Sequence, residues 1–226
     1  MTQFYIIASD MDGREIRRRL YKEDPYAGFD PAGLLLDLSG WGSTEPNFHA
    51  LIDEVSPRLI IEVGTWKGAS AIFMGSRLKA SRLDCSILCV DTWLGALEFW
   101  TDQADETRYG ALRLRNGYPS VYRQFLANVV RSGLQDLIIP FPQTSAIAAR
   151  WLRLNGVRAE LIYVDGSHDQ EDVASDLRGY WGLLEERGIL FGDDYDWPGV
   201  KAAVDRFAAD HGLRVSLAGI QWVIRK

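Results

Sequence analysis

The apolar positions change rhythm along the chain. Before residue 58 they are scattered among turn formers such as Asp24-Pro25, Asp30-Pro31, Ser39-Gly40 and Glu45-Pro46. Only Arg14–Tyr21 and Phe48–Val55 read as helices there, the second stopped near Ser56-Pro57. The N-terminal apolar run, Phe4-Tyr5-Ile6-Ile7, has no basic stretch before it and no small-residue cleavage site after it. It reads as a strand or arm, not a signal peptide. After residue 58 the pattern becomes regular. Leu59–Val63, Ser86–Val90, Leu137–Ile139, Leu161–Val164 and Gly188–Gly192 are short, nearly unbroken apolar runs. Such runs suit strands buried on both faces.

Between them the spacing turns helical. Ala69–Leu78, the set Tyr118, Val121, Tyr122, Phe125 and Val129, and Ser145–Leu152 each predict a helix. So do Val173, Leu177, Tyr180 and Leu184, and then Val200, Val204, Phe207 and Ala208. Leu213–Leu217 and Ile220–Ile224 follow with almost no gap, as in an antiparallel hairpin. Five β–α units and a hairpin predict an α/β fold: a doubly wound, mostly parallel, Rossmann-like sheet of seven strands. Residues 1–57 would form an arm with lead-in helices, and 58–226 the ligand-binding domain.

Composition adds limits. The chain has 226 residues, a net charge of −6, 47% hydrophobic and 25% charged residues. That describes one large globular domain and disfavours a general nucleic-acid binder. No stretch approaches the ~20 apolar residues of a membrane span. Only Cys85 and Cys89 occur. On one strand they cannot pair, and without close histidines they make a poor zinc site. A reducing, cytoplasmic setting is expected. Eight tryptophans are an aromatic excess.

In a doubly wound sheet, ligands lie beyond the carboxyl ends of the strands. Those ends carry Gly64, Asp91, Asp165 and the pair Asp193-Asp194. The first turn, Gly64-Thr65-Trp66-Lys67-Gly68, precedes a helix whose free N–H groups suit an anion. The same glycines also serve a simple tight turn. Thr65-Trp66 breaks the G-x-G-x-x-G dinucleotide pattern, and no phosphate-binding G-K-[ST] ending follows. That disfavours an NAD-dependent oxidoreductase. Asp91 can accept hydrogen bonds from ribose hydroxyls, or cap a helix.

The stretch Ile61-Glu62-Val63-Gly64-Thr65-Trp66-Lys67-Gly68-Ala69-Ser70 resembles the first motif, E-x-G-x-x-x-G-x-S, of class I S-adenosylmethionine-dependent methyltransferases of the catechol-type, metal-dependent O-methyltransferase group. The resemblance covers about residues 45–226. It implies cofactor contacts from Glu62, Gly64, Thr65, Trp66 and Gly68, with Ser70 at the cofactor's carboxylate end. It also implies Asp91 on the ribose, Thr92 and Trp93 beside it, and Ser145 near the adenine.

Asp165-Gly166-Ser167-His168 and Asp193-Asp194 end two strands. If those strands are neighbours, three carboxylates converge, and a divalent cation would relieve their repulsion. The alternative is that some of them cap helices. Asp169 and Asp172 are the better caps for the helix from Gln170, which leaves Asp165 free. By the resemblance Asp165, Asp193 and Asp194 hold a metal, with Mg²⁺ the expected ion, and Asp165 also borders the cofactor. His168, three residues after Asp165, matches the D-x-x-H of methyltransferases acting on macrolide sugars, which makes it the general base. His49 and His211 read as surface residues.

Asp91-Thr92-Trp93-Leu94-Gly95 resembles the D-[ST]-[FW]-x-G of sugar-modifying natural-product methyltransferases. It opens a long insertion, about 92–117, read as a lid or substrate-selecting element. Trp93, Trp100 and Trp197 either line a substrate pocket or pack in the core. The expected function is O-methylation of a small phenolic or sugar-bearing molecule, with no nucleic acid or membrane partner. The N-terminal residues would cover the cofactor or build a homodimer interface. Rival readings are a cephalosporin-hydroxylase-like enzyme on the same scaffold and a non-catalytic nucleoside-binding protein.

Overall fold

The computed structural model describes residues 11–226. The run Phe4–Ile7 lies outside the described residues. The apolar runs form the sheet: β1 Leu59–Val63, β2 Ser86–Asp91, β3 Ile138–Pro142, β4 Ala159–Val164, β5 Leu184–Gly192, β6 Val215–Ala218 and β7 Gln221–Arg225. Its order is β3-β2-β1-β4-β5-β7-β6. The first five strands run parallel. β7 joins β5 antiparallel, with β6 outside it, so the C-terminal hairpin closes the edge.

Helices cover both faces, which is why the strands read as continuous apolar runs. On one face α1 Gly13–Leu20, α5 Ser145–Leu154, α6 Gln170–Trp181 and α7 Pro198–His211 bury Ile16, Leu152, Leu177 and Val204. On the other, α2 Pro46–Val55, α3 Ala69–Ser81 and α4 Val121–Arg131 bury Phe48, Met74 and Phe125. Asp169 caps α6 by accepting from the Glu171 N–H at 2.8 Å, as expected. Leu184 differs from its expected place. It begins β5 and does not continue α6, because that helix stops at Gly182 and the β4–β5 register shifts between Ala159 and Leu161.

Strand register places the candidate residues in one row. Val63 pairs with Val90 on one side and Val164 on the other, and Val164 pairs with Gly192. The residues that follow these partners are Gly64, Asp91, Asp165 and Asp193. They therefore lie side by side across four adjacent strands, about 5 Å apart per strand. The order reverses at β1, with β2 and β4 on its two sides, which opens the crevice there.

The segment before α2 is strapped to the other helices by polar contacts. The Arg131 guanidinium donates to the carbonyls of Pro31 and Leu34, and Gln124 to that of Leu35. Buried Asn128 donates to the Asp37 carbonyl (2.6 Å) and the Lys67 carbonyl (2.8 Å). Its Oδ1 accepts from the Asp37 N–H (3.0 Å) and from Gln124 (2.9 Å). Lys67, 4% exposed, ends on Asp37 and Ser39, each at 2.8 Å. Asn128 thus joins α4, the first turn and this strap at one point. Asn128→Ala leaves those groups without partners and should lower the unfolding free energy by about 2–3 kcal/mol, read from urea denaturation.

Candidate active site

The crevice widens into a cavity of about 580 Å³. Eleven of the expected site residues border it: Gly64, Thr65, Trp66, Ser70, Asp91, Thr92, Ser145, Asp165, His168, Asp193 and Asp194. Three, Glu62, Gly68 and Trp93, do not border it in this structure. Glu62 is fully buried behind the first turn. Gly68, at φ +85°, faces Phe125. Trp93 is 2% exposed and packs on Tyr122 and Phe125, its Nε1 donating to the Trp66 carbonyl at 2.7 Å.

The first turn is built by carboxylates. Asp91 Oδ2 accepts from the N–H groups of Thr65 (2.9 Å) and Trp66 (2.7 Å), and Oδ1 from that of Trp93 (2.7 Å). Three of a carboxylate's roughly four acceptor positions are thus filled by protein. At most one remains for a ribose hydroxyl in this arrangement. Burial raises the Asp91 carboxyl above its ordinary value, against the lowering effect of those N–H groups. Gly64, at φ +84°, passes so close to the Asp165 carbonyl that a Cβ there would collide with it.

Glu62 serves the same turn from beneath. It accepts from Thr65 Oγ1 at 2.8 Å, from the Ser70 hydroxyl, and from Cys89 at 3.4 Å. Ser70 therefore spends its proton on Glu62 and keeps only acceptor capacity toward the cavity. Burial pushes Glu62 up to about 7, although these donors pull it down.

Ser145 opens α5 after β3. Its carbonyl accepts from Tyr180 Oη at 3.0 Å. Asp176 is pushed up to about 6 by burial, against a hydrogen bond from Ser145. It borders the cavity and was not foreseen.

His168 is held on three sides. Nδ1 lies 3.0 Å from Glu98 Oε1, and Nε2 lies 2.9 Å from Asp194 Oδ2. Trp197 stacks on the ring, 4.3 Å between centroids. The Asp194 hydrogen bond raises the imidazole pKa, burial opposes it, and Glu98 adds to the rise. His168 therefore stays protonated to a higher pH than a free histidine. Like Asp176, Glu98 borders the cavity and was not foreseen. It sits on the short 3-10 turn Leu97–Trp100 of the insertion, where its one signal was being the lone acid in an otherwise apolar Leu-Glu-Phe-Trp run.

The three aspartates are engaged separately. Asp165 Oδ2 accepts from Tyr163 Oη at 2.9 Å, Asp193 Oδ1 from the Asp194 N–H at 3.0 Å, and Asp194 holds His168. Gly42 of the strap packs directly on Asp193 Oδ2. Among the described residues no group of three or more His, Cys, Asp or Glu is placed to hold a metal ion. With each carboxylate turned to its own partner, the donor set as arranged does not fit one. Burial nevertheless raises Asp165 well above its ordinary value and Asp193 to about 6, with the neighbouring aspartates adding to both.

The remaining expectations also find their places. Trp197, 41% exposed, borders the cavity. Trp100, 42% exposed, does not border it but donates to the Leu94 carbonyl at 2.9 Å. Gly40–Ser43 of the N-terminal strap do border it. His49 is half-buried and stacked on Phe73, and His211 is exposed. Among the described residues, no helix is long and apolar enough to cross a membrane.

A family model for a methyltransferase domain matches residues 61–195, more than half of the chain. The chain belongs to that methyltransferase family. The matched stretch begins within β1 and ends after Asp194, so it holds His168 and every residue expected at the cofactor or a metal, and leaves Trp197 just outside. A search of the curated proteins found no match. Solved structures agree in fold. The O-methyltransferase NovP superposes with a TM-score of 0.59 at 20% identity, over 80% of this chain and 78% of its own. CalS11, a calicheamicin methyltransferase, gives 0.58 at 19%, over 79% and 77%. TomG, an O-methyltransferase from Streptomyces achromogenes, gives 0.57 at 14%, over 95% and 96%. The methyltransferase resemblance read from the sequence thus holds for family and fold.

The buried Glu62 of this methyltransferase generates a pH test. Its folded pKa of about 7 lies above its ordinary 4.5, so the folded state keeps a proton that the unfolded chain has lost. Its contribution to stability therefore falls as pH rises from 4.5 to 7, by about 3 kcal/mol in all. Glu62→Gln removes that slope. Urea unfolding of both proteins at pH 4.5 and 8 should show the variant gaining on the parent at the higher pH.

Proposed function

We propose that the chain is an S-adenosylmethionine-dependent O-methyltransferase acting on a hydroxyl of a small phenolic or sugar-bearing natural product. The observation that carries this reading is the imidazole of His168, set in the cavity that the first turn and Asp91 also border. The neighbours support the cofactor and acceptor class. TomG is known with S-adenosylmethionine and belongs to tomaymycin synthesis, and CalS11 is a TDP-rhamnose 3′-O-methyltransferase of calicheamicin biosynthesis.

The residues present fit the cofactor. Gly64 lets the backbone approach it, Asp91 offers its remaining acceptor position to a ribose hydroxyl, and Ser145 stands at the adenine end. The bound cofactor supplies a methyl group on a positively charged sulfur. His168 takes the acceptor's hydroxyl proton. Once the hydroxyl oxygen had taken the methyl group, the proton would remain on His168. The two carboxylates beside the ring stabilise the imidazolium so formed.

S-adenosylhomocysteine at about 100 times its Kd should stabilise the protein by about 2.7 kcal/mol and raise Tm by about 5–10 °C. NADH should give no shift. Absence of a shift with S-adenosylhomocysteine removes the methyltransferase reading. A screen of catechols, flavonoids and glycosides for methyl transfer then finds the acceptor. His168→Ala should lower kcat on it by about 100-fold or more, with the S-adenosylhomocysteine shift retained.

A further inference from the structure

Four side chains form a row along one wall of the cavity. Trp66 of the first turn lies against Phe99 of the insertion, 4.6 Å between centroids. Phe99 meets Trp41 of the strap edge-on, at 6.0 Å. The Arg108 guanidinium stands over the Trp41 ring, its carbon 5.7 Å from the centroid. All four residues border the cavity. The row thus starts at the cofactor turn and ends, three contacts later, on a cation of the insertion.

That cation stands alone. Among the described residues that border the cavity, Arg108 is the one lysine or arginine, against seven carboxyl side chains. None of the seven pairs with it. Its carboxylate contact is to Asp105 of its own turn, Oδ2 at 3.4 Å from Nη1, beyond the usual N–H···O range. The other Asp105 oxygen is filled by the Thr107 N–H and hydroxyl and by the Arg108 N–H. Among the described residues, Nε and Nη2 of Arg108 have no hydrogen-bond partner. Their two N–H groups form the parallel fork that takes an oxyanion bidentately. The side chain is 36% exposed, so a ligand can reach that edge.

We propose that Arg108 anchors an oxyanion, a carboxylate or phosphoryl group, carried by the methyl acceptor on a flat body that lies along Phe99 and Trp41. The carboxyl side chains elsewhere in the cavity disfavour that anion, so one cation decides which end of the acceptor stays at the insertion. The other end, with its hydroxyl, enters toward His168. Arg108 is then a specificity-determining residue, which sorts acceptors by charge without touching the reacting atoms. This rests on the methyltransferase reading above.

The test is calorimetric titration of protein saturated with S-adenosylhomocysteine, using ligand pairs that differ in one anionic group. The pairs are catechol and 3,4-dihydroxybenzoate, hydroquinone and 4-hydroxyphenyl phosphate, and methyl glucoside and its 6-phosphate. In at least one pair the anionic member should bind about tenfold tighter or more, and the gain should shrink as salt rises from about 0.05 to 0.5 M. Whether the carboxylate or the phosphate pair shows the gain names the group. Arg108→Ala and Arg108→Met, the second keeping an apolar stem on Trp41, should bring both members within about twofold of each other. Arg108→Lys keeps the charge without the fork and should retain part of the gain. No gain in any pair, or a gain that survives in Arg108→Ala and Arg108→Met, overturns the proposal; an arginine that only clamps insertion to strap gives the same result. Loss of S-adenosylhomocysteine binding in both variants also overturns it, because the guanidinium then serves the cofactor's own carboxylate. Each of these results leaves the methyltransferase reading in place. Loss of S-adenosylhomocysteine binding in the parent removes both.

Discussion

The Asp91 carboxylate takes hydrogen bonds from two loops at once, the turn after β1 and the turn after β2. Neither loop has a sheet to pair with past the strand ends. A charged acceptor with three N–H groups converging on it is stronger than the same number of neutral contacts. It fixes Thr65 and Trp66 relative to Trp93. Trp93 returns a bond to the Trp66 carbonyl, so the two turns are tied in both directions. Glu62 braces the same turn from below through Thr65 and Ser70. The shape of the cavity follows from this frame, and Phe99, and with it the insertion, rests on the Trp66 that it places.

Much of this was legible in the chain. Continuous apolar runs gave buried parallel strands because both faces of the sheet are covered. The row of Gly64, Asp91, Asp165 and Asp193 followed from strand ends alone, and the pairing of Val63, Val90, Val164 and Gly192 puts them side by side. What spacing could not convey was direction. Trp93 was open between a pocket and a core place, and its indole turns inward onto Tyr122 and Phe125. Ser70 and Glu62 lay in the right motif but satisfy each other. Glu98 and the strap residues Trp41 and Gly42 were not singled out, because they reach the site from loops of no periodicity.

The aspartates show the same limit differently. Three carboxylates at neighbouring strand ends suggested a shared ion. Each side chain has a partner of its own in this structure, Tyr163 for one, its own turn for another, His168 for the third. Backbone proximity set how close they could come, and local partners decided where each carboxylate pointed. The strap presses Gly42 onto Asp193, so a segment outside the methyltransferase-family match shapes the floor of the site.

Both cysteines, Cys85 and Cys89, are free and buried, and burial raises both thiols above their ordinary range. Thiolate is the reactive form, so the fold slows the reaction of both with alkylating or oxidising reagents. Leu97, 80% exposed beside Glu98, is a place where a new thiol would stand in solvent. A dye attached there would report the insertion's position from an otherwise silent protein, with no native cysteine to remove first.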